Sequence, residues 1–133
     1  RNNLDRIKNK INSSKADLPE PMITKMRGAK KGIITFGSPD AAMNEALDYL
    51  KADGIKLNYL RLRSLPASNK VLEFIRSHEN VYMVENNRDG QMHGILSLEL
   101  PEKAADMISL AIIDGLPINA EWIREAVLND ENA

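Results

Sequence analysis

The sequence predicts an α/β fold, a three-layer α/β/α open sheet that is mostly parallel. Three observations carry this. From residue 32 onward, short apolar runs alternate with segments of helical periodicity, the pattern of a parallel sheet covered on both faces. The runs are bounded by turn-forming residues, among them Gly37, Gly54, Pro66 and Gly90. At 133 residues and 43% hydrophobic, the chain suits one compact core.

GIITF (32–36) reads as the first strand. The GSPD that follows offers a tight turn at Gly37, an N-cap at Ser38 and a proline at the first helical position. Met43, Ala46, Leu47 and Leu50 then share one helical face, and Gly54 closes that helix. KLNYLRL (56–62) is the second strand, ended by Ser64-Leu65-Pro66, and Val71, Leu72 and Ile75 form the stripe of a short helix. NVYMV (80–84) is the third strand. Beyond it VENNRDGQ turns through Asp89-Gly90 into a helix burying Met92, Ile95 and Leu96. MISLAII (107–113) is the fourth strand. After Asp114-Gly115-Leu116-Pro117, a last helix starts behind Asn119 as N-cap and buries Trp122 or Ile123, Ala126 and Val127.

Residues 1–31 read differently, as a basic connector preceding an α/β domain over 32–133. Lys and Arg number nine against three Asp and Glu in residues 1–31, and nine against sixteen in the remainder, so a +6 arm adjoins a −7 body. Such an arm can bind nucleic acid. In RNNLDRIKNKI, however, Leu4, Ile7 and Ile11 fall at helical spacing, which favours a linker helix lying on a neighbouring domain. The chain starts at Arg1 with thirty residues poor in core formers, and is expected to be a piece of something longer.

There is no cysteine, so this chain makes no disulfide, supplies no Cys ligand to an iron–sulfur cluster and has no Cys nucleophile. No apolar run approaches the roughly 20 residues that span a bilayer, and a signal-peptide core is not visible. A cytoplasmic protein without membrane contact is the expectation.

In a parallel sheet the loops at the carboxyl ends of the strands gather on one edge, where open α/β folds bind ligands. The loops here are GSPD, RSLPAS, ENNRDGQ and DGLP. Glu85 poses the sharpest question, because a carboxylate leaving a covered sheet needs partners. Strand alternation sets Arg61 and Arg63 on one face of the second strand and Glu85 with Val81 and Met83 on one face of the third, so an Arg–Glu85 pair is expected. Asn86 and Gln91 can serve the loop backbone or a facing domain. The Gly37-Ser38 turn could cradle a phosphate, but it has one glycine, no following lysine, and Asp40 in the first helical turn. His78 and His93 lack a metal-binding spacing or a nucleophile partner and are read as structural, His93 in the turn after Gln91.

Taken in order, the motifs resemble a known family. ITFGS leading to a helix with Glu45-Ala46, Gly54-Ile55-Lys56 leading to LRLRSLP, VENNRDGQ, and IIDGLPINAEWI before the last helix are similar to the transketolase-C-like C-terminal domain of the α subunit of 2-oxoacid:ferredoxin oxidoreductases, particularly the 2-oxoglutarate type. The match covers about 32–128. Ser64-Leu65-Pro66-Ala67 and Leu116 depart from it, where the family commonly has an aromatic between prolines and an arginine. The resemblance implies a complex that decarboxylates a 2-oxoacid on thiamine diphosphate with Mg2+, passes electrons through an iron–sulfur cluster to ferredoxin, and forms an acyl-CoA.

The same resemblance implies that this segment is a structural and assembly domain, inactive alone. It carries no catalytic residue, cofactor site or metal site of its own. Its expected partners are the preceding domain of the same subunit and the β subunit, with ferredoxin and CoA met through the whole complex. The residues expected at the domain or subunit interface are Gly37, Ser38, Arg61, Arg63, Glu85, Asn86, Gly90, Gln91, Asp114 and Gly115. The alternatives are a free-standing nucleotide- or CoA-binding α/β domain, using GSPD and RSLP, and a basic-arm nucleic-acid binder.

Overall fold

A computed structural model describes residues 5–6, 19–87, 89–112 and 117–133. Five strands form one sheet: β1 (Met22–Thr24), β2 (Lys31–Phe36), β3 (Leu57–Leu62), β4 (Val81–Glu85) and β5 (Met107–Ala111). Their spatial order is β1-β3-β2-β4-β5. All neighbours are parallel except β1, which pairs antiparallel with β3 and places Ile23 opposite Leu60. The helices are α1 (Asp40–Ala52), α2 (Asn69–Arg76), α3 (Gln91–Glu99) and α4 (Ala120–Glu131), with a 3-10 helix at Pro101–Asp106.

The expected three layers are present. One core joins α1 and α4 to one sheet face through Met43, Leu50, Ile123 and Val127 over Ile33 and Tyr82. The other joins α2 and α3 to the opposite face through Val71, Ile75 and Leu96 over Ile34, Leu60 and Met83. β4 is buried at every position, as a central strand covered on both faces must be.

The α1 stripe is as the sequence implies, with Met43, Ala46, Leu47 and Leu50 all buried. Its end is a Schellman motif: Gly54 sits at φ +86°, its N–H bonds the Lys51 carbonyl at 3.0 Å, and the Ile55 N–H bonds the Leu50 carbonyl at 2.8 Å. Asn119 caps α4, its side chain accepting the Trp122 N–H at 2.8 Å.

Three expectations are corrected. Ser38 does not cap α1, because Pro39 holds the N-cap position in helical conformation and backbone bonds from Asp40, Ala41 and Ala42 to residues 37, 38 and 39 serve the entry turn. Ile95 is exposed on α3, since the nine-residue helix turns only Met92 and Leu96 fully inward. Part of the segment read as a connector is built into the sheet as β1, and the strand ends shift by one or two residues elsewhere.

Candidate functional site

The carboxyl ends of β2, β3 and β4 bring Gly37-Ser38, Arg63 and the described residues 85–87 and 89–91 to one edge of the sheet. Asp114 and Gly115, which the sequence reading adds to this edge, lie outside the described residues.

Glu85 ends β4 with only 3% of its surface exposed. Its carboxylate faces the first turn of α3. Oε1 accepts the Met92 N–H and, at 3.1 Å, the Asn87 side-chain amide, while Oε2 accepts the His93 N–H at 3.1 Å. The Gln91 N–H goes to Asn87 Oδ1 at 3.2 Å, and the Gly94 N–H to the Gly90 carbonyl at 2.9 Å. Every amide of the first turn therefore has a partner, and a negative charge sits at the positive end of the helix. Gly90 makes the approach possible. It adopts φ +60°, and a Cβ there would stand 2.8 Å from Ser109 Oγ and 3.6 Å from Glu85 Oε2.

The expected Arg–Glu85 pair is not formed. β2 lies between β3 and β4, and the Arg61 guanidinium turns to Asp40 at 3.4 Å. Asp40 also accepts from the Tyr59 hydroxyl, which lies 2.6 Å from Thr35 Oγ1. Burial, reinforced by Asp40, raises the Tyr59 pKa well above the usual phenol range. Sequence reading missed this Thr35–Tyr59–Asp40–Arg61 chain. Its signal was Tyr59 and Arg61 at alternate positions beside a first-turn acid.

The structure thus assembles Glu85, Gly90 and Gln91 with Asn87 into one helix start and leaves Asn86 and Gln91 side chains exposed. Gly37, at φ +83°, and Ser38 are exposed beside them, and Phe36 at the end of β2 is 43% exposed. Arg63 is exposed just beyond β3, and Arg61 is held toward α1.

Both histidines carry hydrogen bonds within the fold. Met26 N–H donates to Asn58 Oδ1 at 2.7 Å, which turns the Asn58 amide nitrogen to His78 Nε2 at 2.9 Å. Nε2 therefore accepts and Nδ1 donates to the Phe74 carbonyl. His93, inside α3 and not in a preceding turn, donates from Nε2 to the Met107 carbonyl at 2.8 Å.

The described residues at this edge do not fit a diphosphate group. The α3 amides are taken by Glu85 and Asn87, and the start of α1 presents the Asp40 carboxylate. Among the described residues no group of three or more His, Cys, Asp or Glu could hold a metal ion, and no helix is long and apolar enough to cross a membrane. Two clefts lie away from the edge: one of about 370 Å3 between β1 and α2, lined by Asn58 and His78, and one of about 410 Å3 at the amino ends of the strands, lined by Lys31 and Glu131.

The sheet order and the paired helix layers are those of a transketolase C-terminal-like α/β domain. The chain is similar to 2-oxoglutarate:ferredoxin oxidoreductase from Magnetococcus marinus, solved with 2-oxoglutarate, coenzyme A and succinyl-CoA bound, at 27% identity and a TM-score of 0.71 over 89% of this chain. It spans only 21% of that chain's length. A split-gene transketolase, solved as an inactive β4 tetramer, is 21% identical at a TM-score of 0.68, over 83% of this chain and 40% of its own. The α chain of a probable 2-oxoacid ferredoxin oxidoreductase from Thermoplasma acidophilum shares the fold at 19% identity and a TM-score of 0.51, over 86% of this chain and 98% of its own. No protein-family model and no curated protein matches the chain. These neighbours bear out the resemblance drawn from the sequence motifs.

Proposed function

We propose that this chain is the C-terminal structural and assembly domain of a 2-oxoacid:ferredoxin oxidoreductase α subunit, of the 2-oxoglutarate type. The likeness to the Magnetococcus marinus enzyme over most of this chain carries the reading. The complex oxidatively decarboxylates its 2-oxoacid to an acyl-CoA in the cytoplasm, with thiamine diphosphate and Mg2+ held by other domains and an iron–sulfur cluster relaying electrons to ferredoxin. The role of this segment is to dock, through its carboxyl edge, against the preceding domain and the β subunit. It is inactive alone.

The chemistry of the edge supports docking over ligand binding. Two of its acids are engaged internally: Glu85 by the α3 amides, Asp40 by Tyr59 and Arg61. Asn86, Gln91, Ser38 and Arg63 are exposed on the same edge as the half-exposed Phe36, polar groups and an aromatic of the kind that interfaces use. Asn86→Ala with Gln91→Ala in the intact complex is expected to weaken assembly or lower its melting temperature while leaving thiamine diphosphate affinity unchanged. Intact assembly with selective loss of nucleotide or CoA binding would replace this reading with the free-standing ligand-binding one.

A further inference from the structure

The α2 side of the sheet is not covered out to its edge. Ile23 stands opposite Leu60 in the β1–β3 pair, so both side chains leave the same face of the sheet, yet Leu60 is fully buried and Ile23 is 39% exposed. The helix layer ends between them. What it leaves is the cleft of about 370 Å3 between β1 and α2, a volume within the range of small-molecule sites.

Polar groups line this cleft where a covered sheet face calls for apolar ones. Asn58 alternates onto the same face as Leu60 and Leu62, and asparagine is depleted in strands. Its Oδ1 takes the Met26 N–H, and one of its two amide hydrogens goes to His78 Nε2. The other amide hydrogen has no partner among the described residues. Lys25, on the same cleft, also has no ionic partner among the described residues. Lys70 lines the cleft too, but its ammonium is paired with Glu20. Glu73 brings one carboxylate, and Ile23 and Phe74 bring apolar surface.

We propose that this cleft binds a small organic monocarboxylate, its anion held by the Asn58 amide and the Lys25 ammonium and its apolar tail laid along Ile23 and Phe74. The two unused groups are both donors, so the group they recognise is an acceptor, and an ionised carboxylate is acceptor-only. Glu73 limits the charge of the ligand. With Lys70 engaged by Glu20, Lys25 and Glu73 leave no positive surplus to hold the second charge of a phosphate. The tail covers the exposed part of Ile23 and removes apolar surface from water. Because Lys25 and Ile23 both keep solvent contact, the affinity is modest, with a Kd on the order of 1 mM. The cleft lies away from the carboxyl edge, so this inference does not rest on the assembly reading.

Hexanoate, titrated into the isotope-labelled 133-residue chain and followed by two-dimensional amide NMR, is the test. Saturable shift changes are expected at the Asn58 side-chain amide and at the backbone amides of Ile23 and Phe74. Lys25→Gln should weaken hexanoate about threefold to fivefold, the loss of one partly solvated ion pair. Hexanamide, which keeps the tail and loses the charge, should bind the parent chain no more tightly than hexanoate binds that variant. Ile23→Ala should weaken hexanoate but leave acetate unchanged, which separates the tail contact from the anion contact. Both replaced side chains are exposed, and unchanged amide shifts on the far face of the sheet check that the variants keep the fold. Shifts that never saturate, saturation at another face, undiminished binding to Lys25→Gln, or tighter binding of inorganic phosphate than of hexanoate would each overturn the proposal.

Discussion

The Glu85 carboxylate at the end of β4 receives the backbone N–H of His93 at 3.1 Å, so a strand terminus caps the helix that follows it. The same carboxylate takes the Met92 N–H, and the two residues of α3 are thereby fixed to the end of β4. This is where the acid in VENNRDGQ finds its partners: the polar residues close a helix end instead of awaiting an arginine.

Glu85→Ala leaves buried amides without an acceptor, and its cost is expected to be about 3 kcal/mol in urea unfolding. Glu85→Gln keeps one acceptor but loses the charge at the helix N-terminus, and should cost about half as much. Combining Glu85→Ala with Arg61→Ala should give additive losses, because Arg61 is turned to Asp40. Strong coupling between those two positions would contradict the arrangement.

Tyr59→Phe removes the hydroxyl that bridges Thr35 and Asp40 and should cost about 1–2 kcal/mol, with coupling to Asp40→Asn in a double-mutant cycle. Burial foremost raises the phenol pKa of both Tyr59 and Tyr82, aided by Asp40 in one case and by Glu131 and Asp130 in the other. A phenol with a raised folded pKa contributes stability that is complete below the unfolded value of about 10 and is lost as pH climbs toward the folded one. Spectrophotometric titration should therefore show these two tyrosines ionising only as the chain unfolds in alkali. Reversible ionisation of all three tyrosines near pH 10 in the folded protein would refute it.

Gly32 packs beneath α2, where a Cβ would stand 2.7 Å from Phe74 Cε1 and 2.8 Å from Cζ. Phe74 is 5% exposed and its ring lies 4.3 Å, centre to centre, from that of His78, so it has little room to yield. Gly32→Ala is expected to destabilise by about 1–3 kcal/mol. Pairing it with Phe74→Leu should recover part of the loss, and a second substitution that restored nothing would place the strain elsewhere.

The four parallel strands are legible in the sequence because each is a short segment rich in apolar and β-branched or aromatic residues, set off from the helical segments by turn formers. The α1 face is legible because thirteen residues give its period room to show. β1 is not, since three exposed residues, Met22, Ile23 and Thr24, carry no alternation that differs from a loop. Ile95 is misplaced for a related reason: in a short helix the i+3 and i+4 neighbours of Met92 look equally apolar, and only packing against Leu100 and Met107 selects Leu96. At the edge, the need of Glu85 for partners is readable from its place after a buried strand. Their identity is not, because the insertion of β2 between β3 and β4 is a fact of topology that alternation along one strand does not contain.

The end of α4 is tied to the sheet by charge. Lys31 Nζ lies 2.9 and 3.1 Å from the two Glu131 oxygens, and the buried Tyr82 hydroxyl donates toward Glu131 at 2.7 Å and Asp130 at 2.8 Å. Burial alone would raise the Glu131 pKa, but the hydrogen bonds from Tyr82 and Lys31, with the lysine charge, together hold it below the usual carboxylate range. A carboxylate lowered in this way contributes stability that is complete above its unfolded value of about 4.3 and is lost as pH falls through the folded one. Lys31→Met should remove much of that depression and cost about 1 kcal/mol at neutral pH, since both side chains remain partly solvated. Carbon-detected NMR titration of Glu131 gives the direct measurement. Its pKa should lie below the unfolded value in the parent chain and rise in the Lys31→Met variant, with acid loosening of α4 beginning at a higher pH. An unchanged Glu131 titration in that variant would show that the lysine does not hold the helix end.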